Sequence, residues 1–255
     1  MKKRIVLILL LFPALLFAQN KTDEQGRKQG EWSKKYENGK TRYRGTFKDD
    51  KPIGKFLYWY ANGEPQTVLT YSVNGHVAHC ITYGPDRVPS ARGKYVDQLK
   101  DSTWVFFDYE GRTRSKNNYK EGLLDGEQVT YNYKGKLMEV ANYKDDKKNG
   151  KQVQFYNSGQ IKVESYWDMG FPTGKITYYQ ETGSFEIRGQ YKLGKKNGYW
   201  RYYDAKGKEE KKVYYRYGKL LEGKAYETYM ENLRKLKAEG KDIDQIEKEL
   251  QNKNK

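Results

Sequence analysis

Two histidines and a cysteine stand close together and could form a soft-metal site. His76, His79 and Cys80 include both histidines and the only cysteine of the chain. On an extended strand, successive side chains point to opposite faces, so His76 and Cys80 would share a face while His79 points away. Ligation of zinc by all three would therefore need a bulge. We expect no metal and no cofactor, and we assign the segment a structural or binding role.

Other catalytic constellations are weakly represented. A Ser-His-Asp triad elsewhere is excluded because the chain has no further histidine. The acidic pairs Asp49-Asp50 and Asp145-Asp146 lie in matching segments flanked by lysine, where aspartate is favoured in turns by local hydrogen bonding. We therefore expect no enzymatic activity. The alternative is a carbohydrate-active or metal-dependent hydrolase centred on His76 and His79.

The N-terminus has the features of an export signal. Residues 2–4 are basic, residues 5–17 are apolar, and Ala18 precedes a plausible cleavage point. The apolar run is shorter than the roughly 20 residues that span a bilayer. We expect residues 1–18 to be removed, leaving no transmembrane span. The mature chain would be periplasmic, associated with the outer envelope, or secreted.

Charge indicates the class of partner. Loss of residues 1–18 would remove three positive charges from the net +16 and leave +13. Basic exported proteins meet acidic proteins, anionic envelope polymers or lipid headgroups, and export makes nucleic acid an unsuitable partner.

The chain is 36% hydrophobic and 15% aromatic, with 25 tyrosines, a composition that favours a thin sheet over a thick core.

Glycines recur along most of the chain at a dominant spacing of 24 residues. A second glycine follows nine residues after each repeat start. The second repeat is interpreted as three residues short and the third as three residues long. The predicted starts are Gly30, Gly54, Gly75, Ser102, Gly126, Gly150, Gly174 and Gly198, and the second glycines are Gly39, Gly63, Gly84, Gly111, Gly135, Gly159, Gly183 and Gly207. A fixed period in this range is the signature of a repeat protein.

Each repeat has the pattern of a β-hairpin. An aromatic strand such as Trp200–Tyr203 precedes a turn, and Asn38-Gly39 supplies the positive φ angles that tight turns require. A second strand ends near an aromatic residue about 17 positions after the start, among them Tyr166, with Tyr95 displaced by an insertion. The sequence predicts an all-β fold, an elongated antiparallel meander of about eight 24-residue hairpin repeats.

Four segments follow from this pattern. Residues 1–18 form the signal peptide, residues 19–29 a polar segment, residues 30–223 the repeat array, and residues 224–255 a helical segment. Apolar residues at helical spacing support a first helix, and Asp242 with Gln245 resembles a capping box ahead of a second. We expect the first helix to cap the array by covering its last open edge.

The pattern Gly-x-Trp-x-x-Tyr…Asn-Gly-Lys…Tyr…Gly, present in Gly30–Gly54 and Gly198–Gly223, resembles the bacterial MORN-repeat variant family over about residues 30–223. The resemblance implies stacked β-hairpins that act as scaffolds for protein or lipid contact, and some bacterial variants carry a toxin–antitoxin label. We expect a non-catalytic exported scaffold that binds a protein or envelope component along one face. An antitoxin-like binding protein is the alternative.

Candidate binding residues come from the irregular third repeat and from large rings near basic residues. Insertions on a repeat scaffold often carry specificity. The alternative is that the third repeat has drifted but still pairs, and that the rings form cross-strand ladders that hold the sheet together. The candidates are His76, His79, Asp86, Arg87, Trp59 and Trp104.

Overall fold

The structure is a computed structural model that describes residues 20–242 and Gln245. The chain divides into two units, Met1–Gln98 and Leu99–Lys255. In both, strands that follow one another in sequence pair antiparallel, so the predicted all-β meander of hairpin repeats with a helical C-terminal segment is confirmed. The predicted signal peptide lies outside the described residues.

The first unit contains seven strands, each paired with the next. They are β1 (Lys21–Thr22), β2 (Lys28–Lys35), β3 (Thr41–Lys48), β4 (Lys51–Trp59), β5 (Pro65–Tyr71), β6 (Val77–Tyr83) and β7 (Pro89–Val96). The polar segment predicted before the array thus already contributes β1 and the start of β2.

The second unit is also an antiparallel meander and ends in a helix. Its strands are β8 (Leu99–Phe107), β9 (Thr113–Lys120), β10 (Leu123–Tyr131), β11 (Leu137–Lys144), β12 (Lys147–Phe155), β13 (Ile161–Asp168), β14 (Phe171–Tyr179), β15 (Phe185–Lys192), β16 (Lys195–Lys196), β17 (Gly198–Tyr203), β18 (Glu209–Arg216) and β19 (Lys219–Leu221), followed by α1 (Gly223–Ala238). Both β16 and β17 pair with β15, so together they serve as one long strand.

One aromatic residue per repeat fixes the register. Each lies opposite the residue that opens its own hairpin, 17 positions earlier, as in the pairs Gly30 with Phe47 and Gly198 with Tyr215. The eight residues recur every 24 positions without a shift: Phe47, Tyr71, Tyr95, Tyr119, Tyr143, Trp167, Tyr191 and Tyr215. Trp167, and not the predicted Tyr166, holds this place in the sixth repeat.

The third repeat therefore opens at Ala78 and not at Gly75. Ala78 pairs with Tyr95, so the predicted shortening, lengthening and displacement of Tyr95 are wrong. The reason is a different turn. In most repeats the chain reaches the first strand through a two-residue turn in which both residues have positive φ, such as Asp49-Asp50. A β-bulge then follows at the opening residue, which also has a positive φ.

Before the third repeat, a longer turn replaces both of these features. The amide of Gly75 donates to the Ser72 carbonyl at 3.0 Å, and β5 pairs with β6 without a register shift. Ala78 is therefore not required to adopt a positive φ, and the repeat length remains 24. At the hairpin tip, Arg87 (φ 64°) holds the left-handed position that Gly63 (φ 91°) holds one repeat earlier, and Gly84 lies three residues before it.

Side chains alternate between two faces. We call the face that carries the opening residues, Phe56, Trp200 and the eight register aromatics the aromatic face. The opposite face, which carries Lys175, Arg188 and Tyr199, is the basic face. Phe56 and Trp200 are each 2% exposed although no second sheet covers them in the described residues.

Neighbouring hairpins bury these two rings. Phe56 lies between Phe47 and Tyr71 with centroid distances of 5.1 and 5.3 Å, and both contacts are edge-to-face. Trp200 lies in the same way between Tyr191 and Tyr215, at 5.3 and 6.2 Å. Such pairs add about 0.5–1.5 kcal/mol each beyond the area that they bury.

Small residues and lysines complete the packing. A Cβ atom built on Gly45 would lie 2.3 Å from the Phe56 ring, and one on Gly189 would lie 2.4 Å from the Trp200 ring. The ammonium group of Lys196 lies over the Trp200 ring, 4.2 Å from its centroid. The backbone therefore approaches one side of the ring while a lysine stem and its charge cover another.

Helix α1 packs on the basic face, against side chains of β18 and of the last strand, β19. Tyr229 is buried against Tyr214 and Leu221. The hydroxyls of Tyr199 and Tyr226 are 2.8 Å apart and hydrogen-bond. Beyond α1, the Asp242 carboxylate accepts the amide of Gln245 at 2.9 Å, which is one half of the predicted capping box. The rest of that predicted helix lies outside the described residues.

We predict that Gly189→Ala destabilises the protein by about 1–3 kcal/mol because its methyl group would overlap the Trp200 ring. The cost should fall by more than half in a Trp200→Ile background, since Ile176 already occupies the equivalent site one repeat earlier. Urea unfolding of the four proteins of this double-mutant cycle measures both values. An equal cost in the two backgrounds would show that the ring contact is not the cause.

We also predict that Tyr229→Ala detaches α1 without unfolding the strands. Loss of the buried ring should raise amide exchange in α1 at least about tenfold, equivalent to about 1.4 kcal/mol of local stability. Glu227→Ala, at an exposed position on the same helix, is the matched control. Exchange that rises equally in both variants, or in neither, would contradict the packing described for Tyr229.

Candidate binding sites

The two histidines and the cysteine do not converge. Cys80 is buried on the aromatic face and His79 is exposed on the basic face. His76 precedes β6, and its Nδ1 lies 2.5 Å from Oδ1 of Asp97. Among the residues that the structure describes, no three His, Cys, Asp or Glu side chains are grouped to hold a metal ion.

Arg87 and Asp86 contact their own chain. The Arg87 guanidinium pairs with the Glu64 carboxylate at the neighbouring hairpin tip, with Nη2 3.0 Å from Oε1. This hydrogen bond lowers the pKa of Glu64 and raises that of Arg87. Asp86 accepts the amide of Val88 at 3.2 Å. The two candidates therefore tie one tip to the next and shape the loop.

The two candidate tryptophans lie in the packing of the sheet. Trp104 is 1% exposed, and the Lys100 ammonium lies 4.9 Å from its ring centroid. Trp59 is half-buried at the end of β4, and its carbonyl accepts the hydroxyl of Tyr36 at 2.7 Å. The same bond, from a tip tyrosine to a carbonyl 23 residues later, joins Tyr156 to Tyr179.

A groove on the basic face was missed by the sequence analysis. It lies between the seventh and eighth repeats, has a volume of about 490 Å³, and is lined by the cationic side chains of Lys175, Arg188 and Arg201 together with Tyr199 and Gln190. Strand alternation could have found it. Lys175, Tyr199 and Arg201 are direct sequence neighbours of Ile176 or Trp200, so their side chains point to the opposite face, and Arg188 and Gln190 lie on that same face of β15.

Positive side chains outnumber acidic partners around this groove. Nη1 of Arg201 lies 2.9 Å from the Glu209 carboxylate, and the Arg188 guanidinium lies 4.5 Å from the Phe185 ring. In the sixth repeat the pair Lys151–Glu164, at 2.8 Å, neutralises the equivalent area. Lys175 and Arg188 of the seventh repeat therefore stand where the sixth repeat has a neutral ion pair.

Tyr199 connects the groove to α1. Its ring lines the groove, and its hydroxyl bonds to Tyr226 of the helix. The hydrogen bond to Tyr199, together with burial, raises the pKa of Tyr226. The described part of the chain contains no helix that is long and apolar enough to cross a membrane.

Comparison with solved structures gives only weak similarities. The crystal structure of TcdB2-TccC3-Cdc42 aligns at 12% identity and a TM-score of 0.16, over 79% of this chain but only 14% of that one. A protein of unknown function from Bacteroides fragilis NCTC 9343 aligns at 14% identity and a TM-score of 0.12, over 65% of this chain and 95% of that one. No curated protein matches the sequence. These scores carry no argument about fold or function.

The family comparison agrees with the register of the strands. The family described as MORN repeat variant matches residues 28–49, 124–145 and 148–169. Each match begins two residues before an opening glycine, which are Gly30, Gly126 and Gly150, and covers one hairpin, apart from the first residue of β10 and of β12. The matched segments are thus three copies of the structural repeat, and at these three places the chain contains repeats of the MORN repeat variant type.

Proposed function

We propose that this repeat scaffold is non-catalytic and exported, and that it binds an acidic protein surface on its basic face. The observation that carries the proposal is the groove lined by Lys175, Arg188 and Arg201. Guanidinium groups bind carboxylates through two parallel hydrogen bonds, so closely placed arginines favour an acidic partner over a neutral one.

The accessibility of the groove supports this proposal. Lys175 and Arg188 are exposed, and in the described part of the chain the structure gives Lys175 no acidic partner. A partner would therefore not have to break a buried ion pair. Exposed charges of this kind steer association and make it sensitive to salt.

The helix α1 supports a protein as the partner. It already covers the basic face of the eighth repeat through Tyr226 and Tyr229, which contact tyrosines of β17 and β18. A folded segment can therefore lie on this face with its rings against the strands. A partner in the adjacent groove would extend the same kind of contact along the sheet.

Export is supported by the pattern of residues 1–18. We predict that the chain recovered from fractionated cells begins at Gln19 and is found outside the cytoplasm. N-terminal sequencing of the purified protein checks this. Recovery of a cytoplasmic chain that retains residues 1–18 would contradict export and would leave the proposed partner site untouched.

A charge reversal tests the groove. We predict that Lys175→Glu with Arg188→Glu weakens binding of a glutamate-rich peptide by at least about tenfold, because each exposed charge pair contributes up to about 1 kcal/mol and reversal adds repulsion. The control, Lys134→Glu with Lys206→Glu, changes the net charge equally at exposed hairpin tips. Fluorescence anisotropy at two salt concentrations measures the affinities.

The outcomes separate the candidate partners. Loss of peptide binding in the groove variant alone supports the proposal. Equal loss in the control would show nonspecific attraction to a basic protein and would overturn it. A phosphate-rich polysaccharide that binds the groove more tightly than the peptide would replace the protein partner with an envelope polymer.

A further inference from the structure

We propose that the third repeat contains a pocket for one small planar aromatic molecule, in the place that neighbouring repeats fill with a ring of their own. The pocket, which we call the Cys80 pocket, lies on the aromatic face of the first unit and has a volume of about 300 Å³. Its lining includes Leu69, Tyr71, His76, Cys80, Thr82 and Tyr95. The proposal is independent of the groove on the basic face.

The strand register shows that the third repeat lacks an aromatic ring at one position where other repeats have one. Cys80 is the second residue after the opening residue Ala78, and the equivalent residues of the second and eighth repeats are Phe56 and Trp200. Both of those rings are 2% exposed. Replacement of a large side chain by a small one leaves unfilled volume wherever the surroundings do not collapse.

The walls of the site are retained. Phe56 is sandwiched edge-to-face between two register aromatics, Phe47 and Tyr71. Trp200 is sandwiched in the same way. In the third repeat the flanking register aromatics are Tyr71 and Tyr95, and both line the pocket, but the residue between them is Cys80. Two aromatic walls therefore stand on either side of a position that holds no ring.

The chemistry of the lining limits the ligand. Edge-to-face contact with Tyr71 and Tyr95 requires a planar ring, and Leu69 fills part of the space, so the ring must be small. The Cys80 thiol and both phenol rings line the same space, where burial raises the pKa of the two tyrosines and the nearby thiol raises it further. The lining also includes Thr67 and Gln98, so the space has apolar walls together with polar groups, which suits a small ring that carries a polar substituent.

The rim supplies polar contacts. His76 lies two residues before the opening residue, where Lys196 of the eighth repeat places its ammonium over the Trp200 ring. The imidazole, held by Asp97, is therefore at the position that covers the ring in another repeat. A ligand with one polar substituent on its ring, of the indole or phenol class, would meet both the apolar walls and this rim.

Indole is the probe for the test, used with the full mature chain. Bound indole should protect Cys80 from alkylation by iodoacetamide, slowing it about tenfold at an indole concentration of about ten times its Kd. Saturation-transfer NMR should show contact of indole with the protein. Cyclohexanol, which has a hydroxyl group but no planar ring, is the ligand control and should protect at least about fivefold less well at the same concentration.

Two variants make the test specific. Cys80→Phe should fill the pocket, abolish indole contact in NMR and raise Tm, whereas Cys80→Ala should keep the contact. If Cys80→Phe does not fold, Tyr95→Leu replaces it, and removal of one aromatic wall should weaken indole binding at least about tenfold. Absence of indole binding to the natural chain, or binding that persists in a folded Cys80→Phe or Tyr95→Leu protein, would overturn the proposal.

Discussion

Packing of one inward residue between the register aromatics of two neighbouring hairpins, a ring in the second and eighth repeats, is the constraint on which the sheet depends. In residues 20–242 no second sheet packs on the strands, which leaves few ways of removing apolar groups from water, yet Phe56 and Trp200 are almost completely buried. Each reaches this state because register aromatics flank it, a glycine lets the backbone approach, and in the eighth repeat Lys196 covers it. Stability therefore arises between neighbouring hairpins, as expected for a repeat protein.

This contact explains why the repeat length is constant while the turns vary. A ring meets its flanking partners only if every hairpin advances the chain by the same number of residues. Two-residue turns followed by a bulge meet the requirement at most junctions, and a longer turn without a bulge meets it before Ala78. The constant repeat length also explains why Arg87 adopts a positive φ at the hairpin tip of the third repeat. A shift of this turn by one residue would move every side chain of the following strand to the opposite face of the sheet.

The sequence was informative where local chemistry determines the conformation. Turn glycines and strand alternation predict the hairpins, and the resemblance to MORN repeat variants agrees with the matches at residues 28–49, 124–145 and 148–169. The glycine pattern predicted the wrong start for the third repeat because a glycine marks a residue with positive φ. In this repeat that residue is Gly75, which lies in the longer turn and not at the opening position Ala78. The register aromatics would have been the better guide, since Tyr95 and Trp167 keep the period.

The candidate sites were harder to predict because they combine residues from neighbouring repeats. Lys175, Arg188 and Arg201 meet only once the register is known, and the Cys80 pocket is recognisable only by comparison with Phe56 and Trp200. The segment of His76 and Cys80 attracted attention as a metal site. In the structure it is better described as a place where a repeated ring is absent. The packing of α1 on the basic face depends on tyrosine contacts that helical periodicity alone does not specify.

If ring packing requires a constant register, the sheet should tolerate deletion of one whole repeat but not deletion of a slightly shorter segment. Removal of residues 126–149 takes out one period and joins Asp125 to Gly150, so every remaining ring keeps its partners. We expect this shortened protein to unfold cooperatively with a Tm close to that of the full chain. Removal of residues 126–147, two fewer, should abolish cooperative unfolding. Equal behaviour of the two deletions in thermal unfolding followed by circular dichroism would contradict the claim.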